Sequence, residues 1–394
     1  MVYTREVVAT FARALLSCVI GLATACGARS ALDDDAAAPT DASAPVDARS
    51  PFGEAGPGED AGADADAGGP SCTTATATCD AGLAATCDGC APPTVLATCQ
   101  SLPGALAMDD ASVVWINEGV VDMPHILKTP ATYKDGAVMR CAASGCGNAP
   151  SPIAIGIHNL WTRSFAVVNG ASYYLAQPPE DFELFVAPDD ACTSTPPMVP
   201  GYGYAYAGDE ASVYFTTYNQ DRVYTCSGDC ASATLLWAAP TQNDFTIGIA
   251  VDATDVYWTT SHDEVYRCAK AGCALSPTLL TQQGFGRDAI ALDDANVYAT
   301  DDSRLYACSK SGCASPTVLT TTHAPTTNLV TDGANLYWSM KTGQNAGGVF
   351  RCPVTGCAAP ELIASVVQPG GIALDASRVY WSDAVSGTIA SLPK

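Results

Sequence analysis

One phrase recurs seven times: an apolar run, an Asp or Asn, two or three turn residues, and then an aromatic-rich run. The copies run Asp109 to Trp115, Asn169 to Tyr174, Asp209 to Phe215, Asp252 to Trp258, Asp293 to Tyr298, Asp332 to Trp338 and Asp375 to Trp381. Taking the slot of Trp258 as reference places the copies at 115, 175, 215, 258, 299, 338 and 381, with steps of 60, 40, 43, 41, 39 and 43 residues. A fixed step of this size builds a chain from one supersecondary unit that buries its faces only against its neighbours.

The fifth copy shows the unit. Ala289–Leu292 reads as strand a, Asp293–Asn296 as a turn and Val297–Thr300 as strand b. Arg304–Cys308 reads as strand c, Ser309–Gly312 as a second turn and Pro316–Thr320 as strand d. Four short strands split by Gly, Asp and Asn turns form an antiparallel meander. Strands b, such as Val256-Tyr257-Trp258, are apolar on both faces, as a sheet packed between two others requires. The expected fold is all-β: a seven-bladed β-propeller of four-stranded blades, with six or eight blades as the alternatives. The repeated Asp reads as a turn residue, because its carboxylate accepts N–H groups two residues on.

The last copy lacks strand d, since the residues after Thr388–Ser391 run out at Lys394. An orphan precedes the first copy: Pro93-Thr94-Val95-Leu96-Ala97-Thr98 matches Pro316-Thr317-Val318-Leu319-Thr320. Residues 93–98 are therefore expected to pair with 387–392, closing the ring and removing a bare sheet edge.

Tyr257-Trp258-Thr259, Tyr337-Trp338-Ser339 and Tyr380-Trp381-Ser382-Asp383, with Tyr298-Ala299-Thr300-Asp301 more loosely, resemble the YWTD propeller repeat of the low-density lipoprotein receptor family. The resemblance spans residues 104–394 and implies blade packing, with no ligand attached to it. That family has six blades where seven are counted here, and only Asp301 and Asp383 keep the final acid.

Cysteines bracket the c–d turn in five copies: Cys141/Cys146, Cys226/Cys230, Cys268/Cys273, Cys308/Cys313 and Cys352/Cys357. Opposed residues beside a hairpin turn come within bridging distance, so five disulfides are expected in an exported chain. Half of a zinc site is the alternative, but its remaining ligands would have to come from other blades. Ser391 reads as the first-Cys position of the last copy, and Ala187 fills that position in the second, leaving Cys192 without its hairpin mate. The spacing of Cys87 and Cys90 suggests a local bridge. The pairing of Cys72, Cys79, Cys99 and Cys192 stays open.

The N-terminus supplies an address. Arg5 and Arg13 precede a 12-residue apolar stretch, Ala14 to Ala25, too short to span a bilayer and right for a signal-peptide core. It ends in Leu22-Ala23-Thr24-Ala25-Cys26, which resembles a bacterial lipobox and implies acylation of Cys26. Residues 27–71 are an acidic Ala/Asp/Pro spacer with almost nothing to bury. The expected layout is a signal over 1–26, the spacer over 27–71, a Cys-rich lead-in over 72–92 and the propeller over 93–394. The expected location is lipid-anchored at an outer membrane, facing the periplasm or the cell surface.

The formal charge is −23, to which the signal contributes +1 and the spacer −8, leaving −16 for residues 72–394. Acidity this general argues against nucleic acid and anionic membrane surfaces as partners. No Gly-x-Ser-x-Gly, His-Glu-x-x-His or phosphate-loop pattern is present, and no cofactor is expected. Gly284-Phe285-Gly286-Arg287 lacks the third glycine of a dinucleotide site. His125, His158, His262 and His323 all fall on b–c or d–a loops, together with Trp161, Arg163, Asp263, Arg287 and the 118–136 insertion, and are the candidate ligand residues. No catalytic residue is assigned. The expected function is that of a monomeric, membrane-tethered module binding a protein, glycan or envelope component. The alternatives are a lyase, lactonase or other hydrolase with a metal or His-based loop site, and a structural envelope protein.

Overall fold

The computed structural model describes residues 92–394 except 122–132, 158–159, 177–182, 189–197, 200–202, 218–221, 240–245, 283–288, 302, 323–325 and 344–345. Its main sheets are seven, each of four antiparallel strands, and no helix occurs among the described residues. The innermost strands a are Pro103–Asp109, Leu160–Val168, Gly203–Gly208, Thr246–Val251, Ile290–Leu292, Thr326–Thr331 and Pro369–Leu374. Each lies against the strand a of the next blade, and the seventh lies against the first, so the blades close a ring around a channel.

Blade seven is completed by Thr94–Ala97, which pairs antiparallel with Thr388–Pro393 through Thr94↔Ser391, Val95↔Ala390 and Ala97↔Ile389. Arg378 clips the joint by donating to Ser391 Oγ at 3.0 Å and Thr94 Oγ1 at 2.9 Å. The expected seven blades and N-terminal closure are both present.

In six blades strand d carries one extra residue opposite strand c: Leu96, Ile153, Leu236, Leu280, Leu319 or Ile363. A β-bulge re-aims the residue it inserts. At Leu96, Leu236, Leu280 and Leu319 the side chain turns inward and the carbonyl faces the following blade. Leu280 O accepts the amide of Cys313, and Leu319 O that of Cys357, both at 3.1 Å. The sulfurs of Cys273 and Cys146 lie 3.8 and 3.6 Å from Leu236 O and Leu96 O. A bridged sulfur has no proton, so these two are contacts and not hydrogen bonds. The closing strand thus meets the first blade as the outer strands of the third, fourth and fifth blades meet their neighbours.

The five cysteine pairs are bonded, Cys141–Cys146, Cys226–Cys230, Cys268–Cys273, Cys308–Cys313 and Cys352–Cys357, with Cα atoms 5.1–5.8 Å apart. In four of the hairpins the residue before the second cysteine is a glycine at φ between 94° and 108°: Gly145, Gly272, Gly312 and Gly356. At Gly356 an added Cβ would also stand 3.0 Å from Leu319 O, so side chain and docking carbonyl compete for one space.

Cys230 differs from the other second cysteines. Its separation from Cys226 is 4 residues, against 5 in the other pairs. The shorter turn has no glycine before the second cysteine, so Cys230 itself takes the left-handed conformation, at φ 54°. It is also fully buried, at 0% exposure, in the apolar cluster that holds Tyr173, Val213 and Phe215. The second cysteines of the other hairpins, Cys146, Cys273, Cys313 and Cys357, are only half-buried. Cys230 is therefore a core residue, closed to any ligand or metal, where its counterparts lie at the rim.

Strand b supplies the core. Its Trp-slot residue stacks on the strand-c residue opposite: Phe215 on Tyr224, Trp258 on Tyr266 and Trp338 on Phe350, with centroids 5.5–6.0 Å apart. The second blade corrects the sequence register. There the stacked pair is Tyr174 with Phe185, at 5.8 Å, so Tyr174 and not residue 175 holds the Trp slot. Asn169 and Gly170, at φ 50° and 71°, form a two-residue turn, and Val168 stands where other blades have the Asp. The seventh blade needs a similar shift. Val379 pairs with Leu392 as Val256 pairs with Cys268, so Leu392 and not Ser391 holds the first-Cys position.

The closing strand yields a stability contrast. Leu96 is 3% exposed and Val95 50% exposed. Leu96→Ala is expected to lower unfolding free energy by roughly 2–5 kcal/mol, and Val95→Ala by about 0.5 kcal/mol or less, in denaturant titration. Equal effects would show that the strand does not hold the ring.

Candidate functional site

The two rims of the ring differ. One carries the b–c and d–a loops, the other the Asp turns and disulfide hairpins. On the loop rim, His262 is exposed and its amide donates to Thr260 Oγ1 at 3.3 Å. Asp263 is exposed at φ 61°. The neighbouring Glu264 carboxylate accepts from Thr260 Oγ1, Tyr266 Oη and Gln282 Nε2. His125, His158, His323 and Arg287 lie outside the described residues, as do Cys26, Cys72, Cys79, Cys87, Cys90 and Cys192. Trp161 and Arg163 sit on strand a of the second blade. The insertion carries an accessory ribbon, Val120–Val121 against Tyr133–Lys134. Cys99 is disulfide-bonded.

Beside that insertion the closing loop crosses into the first blade through a polar junction. Gln100 Oε1 accepts from Trp115 Nε1 at 3.2 Å and from Asn117 Nδ2 at 2.9 Å. The Gln100 amide donates to Gly387 O at 2.9 Å. Just past strand b, which ends at Asn117, burial pushes the Glu118 carboxyl up to about 7. It is the described carboxyl group lifted into the neutral range; it opens the 118–136 insertion that the sequence reading included, but that reading did not single out this carboxyl.

Two acids of the loop rim belong to the fold. Asp383 accepts amides from Val367 and Gln368, both at 3.0 Å, and so ties two loops together. Asp301 accepts from Ser303 and Arg304 amides and from Tyr306 Oη.

On the opposite rim the repeated Asp has a fixed job. Oδ1 of Asp209, Asp252, Asp293, Asp332 and Asp375 accepts the amides two and three residues on, at 2.6–3.0 Å. Oδ2 accepts the phenol five residues on, from Tyr214, Tyr298, Tyr337 and Tyr380. A lysine of the next blade's hairpin joins some of these turns. Lys270 reaches Asp209 and Lys310 reaches Asp252, each at 2.6 Å, with the ammonium 5.7 and 5.3 Å from the Tyr214 and Tyr257 ring centres. Lys394 lies 3.7 Å from Asp332. Sequence reasoning missed these lysines. Their signal is a Lys two residues past the first-Cys position, at Cys268, Cys308 and Leu392. The second blade keeps the link without charge: Tyr173 Oη donates to Gly228 O at 2.6 Å, and Gly228 holds the lysine's place.

These carboxylates are committed to structure. Burial alone would raise the Asp252 carboxyl, but the Lys310 ammonium and two turn amides reverse this and hold it far below the usual range. The matching phenols move the other way. Burial and the acceptor Asp293 push Tyr298 up to about 12. Among the described residues no three His, Cys, Asp or Glu side chains converge as a metal site.

No family model matches the chain, and no curated protein matches it. Solved structures do. Virginiamycin B lyase from Staphylococcus aureus shares 12% identity over 77% of this chain and 98% of that one, with a TM-score of 0.55. U3-55K shares 10% identity over 77% and 98%, with a TM-score of 0.52. A nidogen/laminin complex shares 17% identity over 56% and 87%, with a TM-score of 0.42. Identities this low carry the fold alone for the first two, and the last does not reach that.

The clasp has a pH signature. A carboxyl held below its unfolded value, near 4, adds stability that is complete above about pH 4 and drains away as pH falls through the folded value. Lys310→Met is expected to lower unfolding free energy at pH 7 by roughly 1–3 kcal/mol and to flatten the loss between pH 5 and 2. Urea titration across that range checks both; an unchanged acid limb would remove the clasp's assigned role.

Proposed function

We propose that the chain is an exported, lipid-anchored interaction module. Five disulfides on a single ring suit an oxidising compartment outside the cytosol. The lipobox-like run ending at Cys26 and the acidic spacer after it suit an anchor on an outer membrane, with the ring held off the surface. One observation carries the binding reading: the aspartates, tyrosines and lysines of the repeat are tied up between and within blades, leaving a rigid frame that displays loops of unequal length. Such frames place binding residues on loops. The partner is a protein or an envelope component meeting one rim.

A second reading, a loop-rim enzyme, has Glu118 in its favour, because a carboxyl near 7 can give and take protons at neutral pH.

The full chain expressed in a lipoprotein-processing bacterium is expected to incorporate labelled palmitate and fractionate with membranes. Cys26→Ser is expected to lose both. In-cell crosslinking should recover a discrete partner with the anchored protein. A stoichiometric metal in the purified chain that is lost on His262→Ala would favour the enzyme instead.

A further inference from the structure

The seam between the fifth and sixth blades holds three buried polar atoms that make no hydrogen bond among the described residues: Trp338 Nε1, Thr320 Oγ1 and Thr322 Oγ1. Their residues are 0%, 5% and 1% exposed. Register puts them on one side of the fifth blade's sheet. Leu305 shares an apolar cluster with Trp338, and Thr320 pairs directly opposite Leu305, so the Thr320 side chain lies on the face turned to the sixth blade. Thr322 follows two residues on, and its amide continues the ladder by donating to Ser303 O at 2.6 Å. A step of two along a strand returns to the same face.

The closing seam, where the seventh blade meets the first, shows what this place is built to hold. There Ala97 pairs with Ile389 beside Trp115, as Thr320 pairs with Leu305 beside Trp338. Gln100 N donates to Gly387 O, two residues before Ile389, as Thr322 N donates to Ser303 O, two residues before Leu305. Thr322 therefore stands in the place of Gln100, whose Oε1 accepts the Trp115 indole N–H. Asn117 accepts that N–H as well, and its place two residues past the tryptophan is taken here by Met340, a buried thioether. Both amide acceptors of the closing seam are thus replaced. The Thr322 hydroxyl sits on Cβ, two carbons short of where the glutamine oxygen reaches, a shortfall comparable to one hydrogen bond.

We propose that this seam binds one structural water, which accepts the Trp338 N–H and donates to the Thr320 and Thr322 hydroxyl oxygens. The valences close: an indole only donates, a hydroxyl oxygen accepts, and a buried water commonly makes about three hydrogen bonds. Three polar groups left unpaired in an apolar seam would weigh against the fold. Trp258 Nε1 is likewise buried and unpartnered, but the Thr260 hydroxyl two residues on is already given to Glu264, so nothing beside it completes a water's bonds among the described residues. The inference concerns the frame and stands apart from the choice of partner.

The test is NMR on the full chain carrying isotope-labelled tryptophan, with Trp338→Phe identifying the Trp338 indole signal by its loss. That signal is expected to show a cross-peak to a long-lived bound water. The double variant T320V/T322V keeps the side-chain shape and removes both hydroxyls; it should weaken the cross-peak roughly fivefold or more, while T320S/T322S keeps it. A crystal structure of the unsubstituted chain, which requires no variant to fold, should place one ordered water within about 3.2 Å of Trp338 Nε1 and of both threonine oxygens. A Trp338 signal without a water cross-peak, or a cross-peak unchanged in folded T320V/T322V, overturns the proposal. So does a crystal structure in which the seam is dry or a side chain accepts the Trp338 N–H.

Discussion

The ring depends on backbone carbonyls turned outward by bulged outer strands, as at Leu96, Leu236, Leu280 and Leu319. An unbulged strand d would present its carbonyls to strand c and to solvent, and the next blade would find no acceptor. The extra residue at Leu280 or Leu319 rotates one carbonyl toward the neighbour, where a cysteine amide receives it. The same insertion drives an aliphatic side chain inward. Hydrogen bond and core contact are therefore two results of one backbone distortion. The disulfide then acts beyond loop entropy: it fixes the hairpin that presents the donor.

A second layer repeats nearer the axis. The hydroxyl after the Trp slot, as in Ser382, accepts Gly371 N at 2.8 Å in its own blade and donates to Gly104 O at 2.6 Å in the next. Ser339 donates to Gly370 O in the same sense. The Tyr-Trp-Ser/Thr phrase thus divides its labour. Tyr holds the turn aspartate, Trp fills the interblade core, and the hydroxyl stitches strand a. Where Asp follows, as at 383, it ties loops rather than meeting a ligand.

Much of this was legible in the chain because the constraints are local. Asp turns, Gly-Cys hairpins and Pro-Thr-Val-Leu outer strands each satisfy hydrogen bonds within a few residues, so their signatures survive as spacing. The closing strand was legible for a further reason: it copies the outer strands of other blades. The lysine clasp was hidden because its partners stand 58 and 61 residues apart, on different blades. The pairing of Cys226 with Cys230 was legible, but the depth of Cys230 was not, because a turn shortened by one residue swings its second cysteine inward without changing the residue type. The second blade misled by one place because Asn169 is the usual residue both for an Asp-type turn and for a tight left-handed one; only the stacking of Tyr174 on Phe185 separates them.

Thr94 and Arg378, which touch, are 284 positions apart. The segment that seals the ring is thus the earliest of the ring's strands to be synthesised, yet it is the last to find its mate. During that interval the growing chain carries an unmatched β edge and six blades whose order is already set. Synthesis from the N-terminus therefore favours sequential stacking from one side, and makes the final docking a single late event on which the whole circle's permanence turns.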